Sequence, residues 1–244
     1  EVMYEEGIDP RKDTKLHTVC IGAEPHSEEQ RKRIEQLLGV KAYNCFGMSE
    51  MNGPGVAFEC TEQNGLHIWE DNVIVEIVDP VTLQPVPEGE VGELVLTTIN
   101  REAMPLLRYR TRDLTCILPG DCPCGRTHKR LARFKGRSDD MIILKGVNLF
   151  PIQIEKILMQ FKELGSNYLI TLETIGNSDE MLIEVELSDL FTDDYSALQR
   201  LTKGITRQLK DELLLTPRIK LVAKGSLPTT DGKAVRVKDH RKLC

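Results

Sequence analysis

Residues 19–39 read Val19-Cys20-Ile21-Gly22-Ala23-Glu24-Pro25-His26-Ser27-Glu28-Glu29-Gln30-Arg31-Lys32-Arg33-Ile34-Glu35-Gln36-Leu37-Leu38-Gly39. The apolar run over 19–21 predicts a short strand ending at Gly22. Ser27 then opens a helix that reaches about residue 38. Ser27 and Gln30 have the spacing of a capping box, in which the serine hydroxyl accepts a bond from the backbone N–H three residues on. Gly39 suits the stop, and Ile34, Leu37 and Leu38 mark the face expected to be buried. Residues 40–44 read as a second short strand, followed by a glycine-bearing loop through Gly55. Strand, turn, helix and strand in this order predict an α/β fold.

Working outward, the period changes after Trp69. Residues 73–78 and 93–99 are rich in β-branched types and bracket a turn-rich segment with Pro80, Pro85, Pro87 and Gly89, which predicts a β-hairpin. A second unit begins near Gly136. It reads as a strand over 141–144, a helix from Pro151 to about 161, strands over 168–173 and 181–187, a long helix over 193–214 and a strand over 218–223. The order β-α-β-β-α-β is that of a ferredoxin-like small domain, making the whole chain α/β followed by α+β. The expected domains are 1–136 and 137–244, with a hinge near 137–140. No internal repeat or low-complexity tract interrupts them.

The 244 residues are 40% hydrophobic and 29% charged, with a formal charge of -6, a balance that argues against a general nucleic-acid binder. That total conceals -14 over residues 1–199 and +8 over 200–244. The basic end is either a solvated surface or the face of a phosphate-rich partner. No apolar run reaches the roughly 18 residues of a membrane span, and the charged opening is not a signal peptide. Seven scattered cysteines do not suit a secreted disulfide framework, so a reducing cytoplasm is expected.

Four segments carry candidate chemistry. Gly22-Ala23-Glu24-Pro25 lies between a strand and a helix, where loops often meet nucleotides, although an ordinary turn has the same pattern. Tyr43-Asn44-Cys45-Phe46-Gly47-Met48-Ser49-Glu50 runs from a strand into a hydroxyl and a carboxylate, the kind of oxygen ligand Mg²⁺ prefers. In Tyr109-Arg110-Thr111-Arg112-Asp113 the aspartate could accept both hydroxyls of a ribose, or belong to a surface ion-pair cluster. Asp231-Gly232 marks a tight turn with Lys233 beyond it. That turn is not a P-loop, because Gly225 and Gly232 are too far apart and Ala234 replaces the Mg²⁺-binding Ser/Thr.

Taken together and in order, these segments resemble the adenylate-forming superfamily of acyl-CoA synthetases, most closely the phenylacetate-CoA ligases. Gly136-Arg137-Ser138-Asp139-Asp140-Met141-Ile142-Ile143 is similar to its interdomain hinge, and Gly232-Lys233-Ala234-Val235-Arg236 to its catalytic-lysine motif. Leu66-His67-Ile68-Trp69-Glu70-Asp71 and Phe150-Pro151-Ile152-Gln153-Ile154-Glu155 narrow the resemblance to the phenylacetate branch. The family's Ser/Thr/Gly-rich phosphate loop has no counterpart here, and Glu1 stands where a Met would begin a chain. Both features imply the carboxyl-terminal part of a longer enzyme.

The resemblance implies an ATP-dependent, AMP-forming ligase that joins an aryl acid to coenzyme A. Lys233 would neutralise charge between carboxylate and α-phosphate, Arg137 would contact phosphate and Glu50 would hold Mg²⁺. Asp113 would bind the ribose, while Gly22, Ala23, Glu24, Pro25, Asn44, Cys45, Phe46, Gly47 and Ser49 frame the adenine and aryl groups. Asp139 falls at the hinge, and Gly146 would line the thiol channel. Small-molecule acid, ATP and coenzyme A are the expected partners, with no nucleic acid or membrane and with a homodimer as one possible assembly.

Cys122-Pro123-Cys124 is a tight pair of soft ligands. With Cys60 and His67 it would complete a closed tetrahedral zinc site of structural type, His128 being an alternative fourth ligand. The competing reading is four reduced side chains. Two further function classes stand beside the ligase: transfer of the acyl group to a carrier-protein thiol, and a ferredoxin-like nucleic-acid-binding or non-catalytic zinc module. Residues 181–187 carry none of the stacking aromatics an RNA-recognition sheet needs.

Overall fold

Two short helices, α1 (Val2–Glu5) and α2 (Pro10–Asp13), precede β1 (Thr18–Ile21), α3 (Glu28–Leu38) and β2 (Lys41–Met48). The computed structural model describes residues 2–51, 53–176, 178–188, 195–228 and 234–241. β1 and β2 pair in parallel, with Ile21 opposite Asn44. α3 starts as its cap predicts, the Gln30 N–H donating to Ser27 Oγ at 3.2 Å. Its inward face differs from the expected one. Leu37 is exposed, Ile34 and Leu38 are half-buried, and the buried side chain is Arg31. A buried guanidinium must be paired, and Arg31 reaches Glu35 and the Ala42 carbonyl, each at 3.4 Å.

The chain continues through β3 (Gly53–Glu59), β4 (Leu66–Ile68), β5 (Val73–Val78), β6 (Gly92–Thr98), β7 (Tyr109–Thr115), β8 (Ile117–Leu118), β9 (Arg130–Leu131) and β10 (Gly136–Arg137). These strands form a six-stranded sheet in the order β1-β2-β3-β4-β9-β8 and a four-stranded sheet in the order β10-β7-β6-β5. The expected hairpin is β5 paired antiparallel with β6. Both sheets contribute to one apolar core, in which Val56, Leu66, Leu94, Leu96 and Leu131 are fully buried.

The chain divides into two units: Glu1–Pro25 with Arg31–Asp139, and His26–Gln30 with Asp140–Cys244. The second holds β11 (Ile142–Leu144), β12 (Val147–Leu149), α4 (Pro151–Leu158), β13 (Leu164–Ile175), β14 (Ser178–Leu187), α5 (Tyr195–Leu213), β15 (Arg218–Val222) and β16 (Val237–Asp239). Its helix and strand order follows the expected pattern, but the strand read over 141–144 does not join the larger sheet. β11 pairs with β12 as a separate hairpin, and the four-stranded sheet runs β15-β14-β13-β16. The place beside β13 is taken by β16, which pairs with it in parallel. Leu201, Ile205 and Leu209 recur every four residues along α5, and all three are buried in a core with Leu158, Ile170, Leu172 and Ile183.

Candidate active site

In parallel α/β pairs the carboxyl ends of strands are where ligands meet the sheet. β1 and β2 bring 22–25 and 45–50 to one such edge. Gly22 is required there by close approach: a Cβ at this position would lie 2.6 Å from Cys45 Sγ and 2.8 Å from the Cys45 carbonyl oxygen. Ala23 holds a left-handed φ of 71°, an unfavourable conformation for a residue with a Cβ and one that clusters at ligand sites. The buried Asn44 donates its backbone N–H to Glu59 at 2.7 Å. Phe46 packs against Phe134 with centroids 4.5 Å apart and rings tilted by 41°, and it joins the apolar core. The ladder becomes irregular between Phe46 and Met48, at Gly47, before Ser49–Met51 forms a 3₁₀ turn. Ser49 is exposed and Glu50 half-buried, with the Glu50 backbone carbonyl accepting from Arg101. The Glu50 carboxylate has no ion-pair partner among the described residues. A hard oxygen donor at a strand end suits Mg²⁺, which keeps several waters and takes one or two carboxylates.

A second group forms where β7 meets β10. Arg137 lies directly opposite Asp113 in the ladder, and its guanidinium is 3.9 Å from the Asp113 carboxylate. The same guanidinium grips Asp139 through two bonds of 2.9 and 2.8 Å and reaches the Thr111 carbonyl at 3.3 Å. Those Arg137 bonds hold the Asp139 carboxyl below its usual range. Three candidates drawn from two motifs far apart in sequence are therefore neighbours.

Beneath them stands a residue the sequence reading passed over. Glu93, fully buried on β6, takes two 2.7 Å bonds from Arg110, lies 3.8 Å from Arg112 and accepts from Ser138 at 3.4 Å. The Arg110 bonds lower its pKa. A glutamate within an alternating strand looks like a surface residue, and the only local signal was its separation of 17 positions from an arginine.

The soft-ligand candidates also come together. The ligand atoms of Cys60, His67, Cys122 and Cys124 all lie within 4.8 Å of one another. Cys60 Sγ is 3.7 Å from Cys122 Sγ, and Cys124 Sγ is 3.4 Å from His67 Nε2. Burial pushes the Cys60 thiol up to about 11, whereas the Arg126 backbone N–H brings Cys124 down to about 7. His128 supplies its carbonyl, 3.3 Å from His67 Nδ1, while its ring stands beside Trp69.

In the second unit Gly146 follows Lys145 at the tip of the β11–β12 hairpin, with φ of 81° and 50° respectively. Positive φ at both central residues is the two-residue turn that joins twisted strands, and it accounts for the glycine. A Cβ there would meet nothing within 4 Å. Lys233, with Asp231 and Gly232, lies outside the described residues. The segments flanking it in sequence line a cleft of about 150 Å³, with Leu227 and Pro228 before and Ala234 and Arg236 after. Arg236 donates to Asn167 at 2.8 Å and covers the ring of Tyr168 at 4.7 Å.

Profiles of two enzyme-family domains match the chain: AMP-binding enzyme over residues 4–100, and AMP-binding enzyme C-terminal domain over residues 146–241. A phenylacetate-coenzyme A ligase of Thermus thermophilus is 41% identical over 257 residues, covering 99% of this chain and 58% of that protein. One of Pseudomonas putida is 44% identical over 238 residues, covering 97% and 53%. Among solved structures, 2-hydroxyisobutyryl-CoA ligase in the postadenylation state with R3-HIB-AMP gives a TM-score of 0.90 at 31% identity, covering 98% of this chain and 51% of that one. The chain spans about half the length of the curated relatives it matches.

Proposed function

Since the chain belongs to the adenylate-forming, AMP-binding enzyme family, we propose that it acts in the ATP-dependent joining of phenylacetate, or a close aryl acid, to coenzyme A. The observation that supports this reading is the ladder pairing of Asp113 with Arg137, which sets the carboxylate proposed for the ribose beside the cation proposed for phosphate.

In the first half-reaction a carboxylate oxygen of the acid bonds to the α-phosphorus of ATP, the bond from that phosphorus to the bridging oxygen breaks, and pyrophosphate leaves. The acid is already ionised near neutral pH, so no general base is needed. The demand is for positioning and for cations where charge gathers. Lys233 meets that demand between carboxylate and α-phosphate, Arg137 at phosphate and Asp113 at the ribose hydroxyls. Gly22, Ala23, Glu24 and Pro25, with Asn44, Cys45, Phe46, Gly47 and Ser49, frame the adenine and aryl groups. Glu50 would hold Mg²⁺, which would neutralise phosphate charge.

In the second half-reaction the coenzyme A sulfur attacks the acyl carbon, its proton passes to solvent, and AMP leaves. Gly146 lines the approach of that thiol. The domains are 1–136 and 137–244, and Asp139 is the hinge that absorbs the change between halves. Part of the same proposal is a reducing, cytoplasmic setting, in keeping with six free cysteines among the described residues.

The test is carboxylate-dependent ATP–pyrophosphate exchange with the full-length protein across aryl and aliphatic acids. Exchange strongest with phenylacetate supports the proposal. Absence of exchange with every acid overturns it, and preference for an aliphatic acid overturns the aryl assignment alone. Running the second half with a carrier protein in place of coenzyme A identifies the acceptor.

A further inference from the structure

We infer that the Cys60–His67–Cys122–Cys124 cluster is a closed zinc centre that staples the β3–β4 turn to the loop between β8 and β9. The inference rests on geometry and is independent of the catalytic proposal.

Zinc bound at about 2.3 Å by sulfur and about 2.05 Å by imidazole nitrogen sets tetrahedral edges of about 3.8 Å between sulfurs and about 3.6 Å between sulfur and nitrogen. The observed separations are 3.7 Å for Cys60 and Cys122 and 3.4 Å for Cys124 and His67. A disulfide would hold its sulfurs about 2.05 Å apart, so the Cys60–Cys122 pair does not have that geometry. Three sulfurs and one imidazole exclude Mg²⁺ and Ca²⁺, which take oxygen.

The surroundings fix which histidine serves and through which atom. The His128 carbonyl can only accept, so at 3.3 Å it is met by a proton on His67 Nδ1. That leaves the lone pair of Nε2 for the ion, and a backbone acceptor on the other ring nitrogen is the usual way a metal-bound histidine is oriented. His128 thus serves through its backbone, not as the fourth ligand. Four protein donors leave no position for water or substrate, which makes the centre structural.

The backbone around the cluster shows what is fastened. Cys60 follows β3 and His67 lies on β4, while Cys122 and Cys124 stand in the loop that returns through β9. β9 is only two residues long, and its Arg130 pairs with His67 in the ladder. The loop is also tied by Arg130 to the carbonyls of Gly120 and Asn64 at 3.0 and 2.9 Å, and by the Lys129 N–H to Glu70 at 2.8 Å. A metal ion joins both sides of this short pairing at once.

The test is metal analysis of the full-length protein purified without chelator. About one zinc per chain is expected, unchanged in His128→Gln and reduced at least tenfold in His67→Gln. Because a ligand variant can fail to fold, cobalt exchanged into the unaltered protein is the second readout. Tetrahedral cobalt bound by thiolate gives intense visible bands and a sulfur-to-metal charge-transfer band, and it must lose them when zinc is added back. Absence of both bands and bound zinc in folded protein overturns the inference. So does full loading of His67→Gln with loss in His128→Gln, or a Cys60–Cys122 disulfide found by mass spectrometry.

Discussion

The two units of this chain bury different things. The second encloses an apolar core to which α4, α5, β13 and β14 all contribute, and its candidate Gly146 lies outside that core, exposed at the tip of the β11–β12 hairpin. The first unit also has an apolar core, but beside it Glu93 pairs with Arg110 and Arg112, Arg137 pairs with Asp113 and Asp139, and Ser138 links the two groups by its bond to Glu93. Fold and candidate chemistry are therefore separable in the second unit and shared in the first.

The sharpest way to break that contrast is Lys233→Ala. Loss of a cation aimed at developing charge is expected to slow adenylation by about 10²–10³-fold. Thioester formation from supplied acyl adenylate and the melting temperature should both stay near those of the unaltered enzyme. Equal loss in both half-reactions, or a lower melting temperature, would contradict the separation. Next in size, Ile205→Ala opens a cavity in the core of the second unit and is expected to cost about 3 kcal/mol in urea unfolding. Half-reaction rates of the protein that remains folded should hardly change.

In the first unit, Glu93→Gln should cost about 2–3 kcal/mol, because it leaves Arg110 without its carboxylate while Arg110 stays partly in water. Activity should fall with stability; a variant that loses one and keeps the other breaks the idea of a shared network. The pH dependence has a definite sign. The Glu93 pKa lies below its ordinary value of 4.5 in the folded protein, so the stabilisation is fully present above that value. It is lost as pH falls through the lowered folded value. The acid limb of a melting-temperature profile should therefore flatten in Glu93→Gln. The smallest effect is expected for Gly146→Ala, about 1 kcal/mol, from forcing a Cβ into left-handed backbone with no steric contact nearby. A larger loss in the second half-reaction than in adenylation would place Gly146 at the thiol path.

What could be read in advance follows the range of the interactions involved. The Ser27 cap, the start of α4 at Pro151 and the 73–78 strand depend on neighbours within a few positions, and they appear where the pattern put them. The partner of β11 depends on which edge of β13 is filled. That edge went to Val237–Asp239, three residues too short and too charged to announce a strand. Period-two alternation shows that a strand exists, not what lies beside it. Arg31 and Glu93 escape the local pattern for a related reason: a buried charge is tolerated only through its partners, and these include the Ala42 carbonyl on β2 and Arg110 on β7. The Cys60, His67, Cys122 and Cys124 set was legible because sulfur and imidazole declare their chemistry by type alone, although only the fold shows that His67 turns inward and His128 does not.

The pairing of Asp113 with Arg137 also sets a measurement. Residues directly opposite in an antiparallel ladder keep their Cα atoms about 4.5–5.5 Å apart, held by peptide bonds on both sides. Any ligand that bridges these two side chains must match a gauge made of backbone, and exchanging Arg137 for lysine would change the reach of one jaw without moving the hinge pin of the caliper.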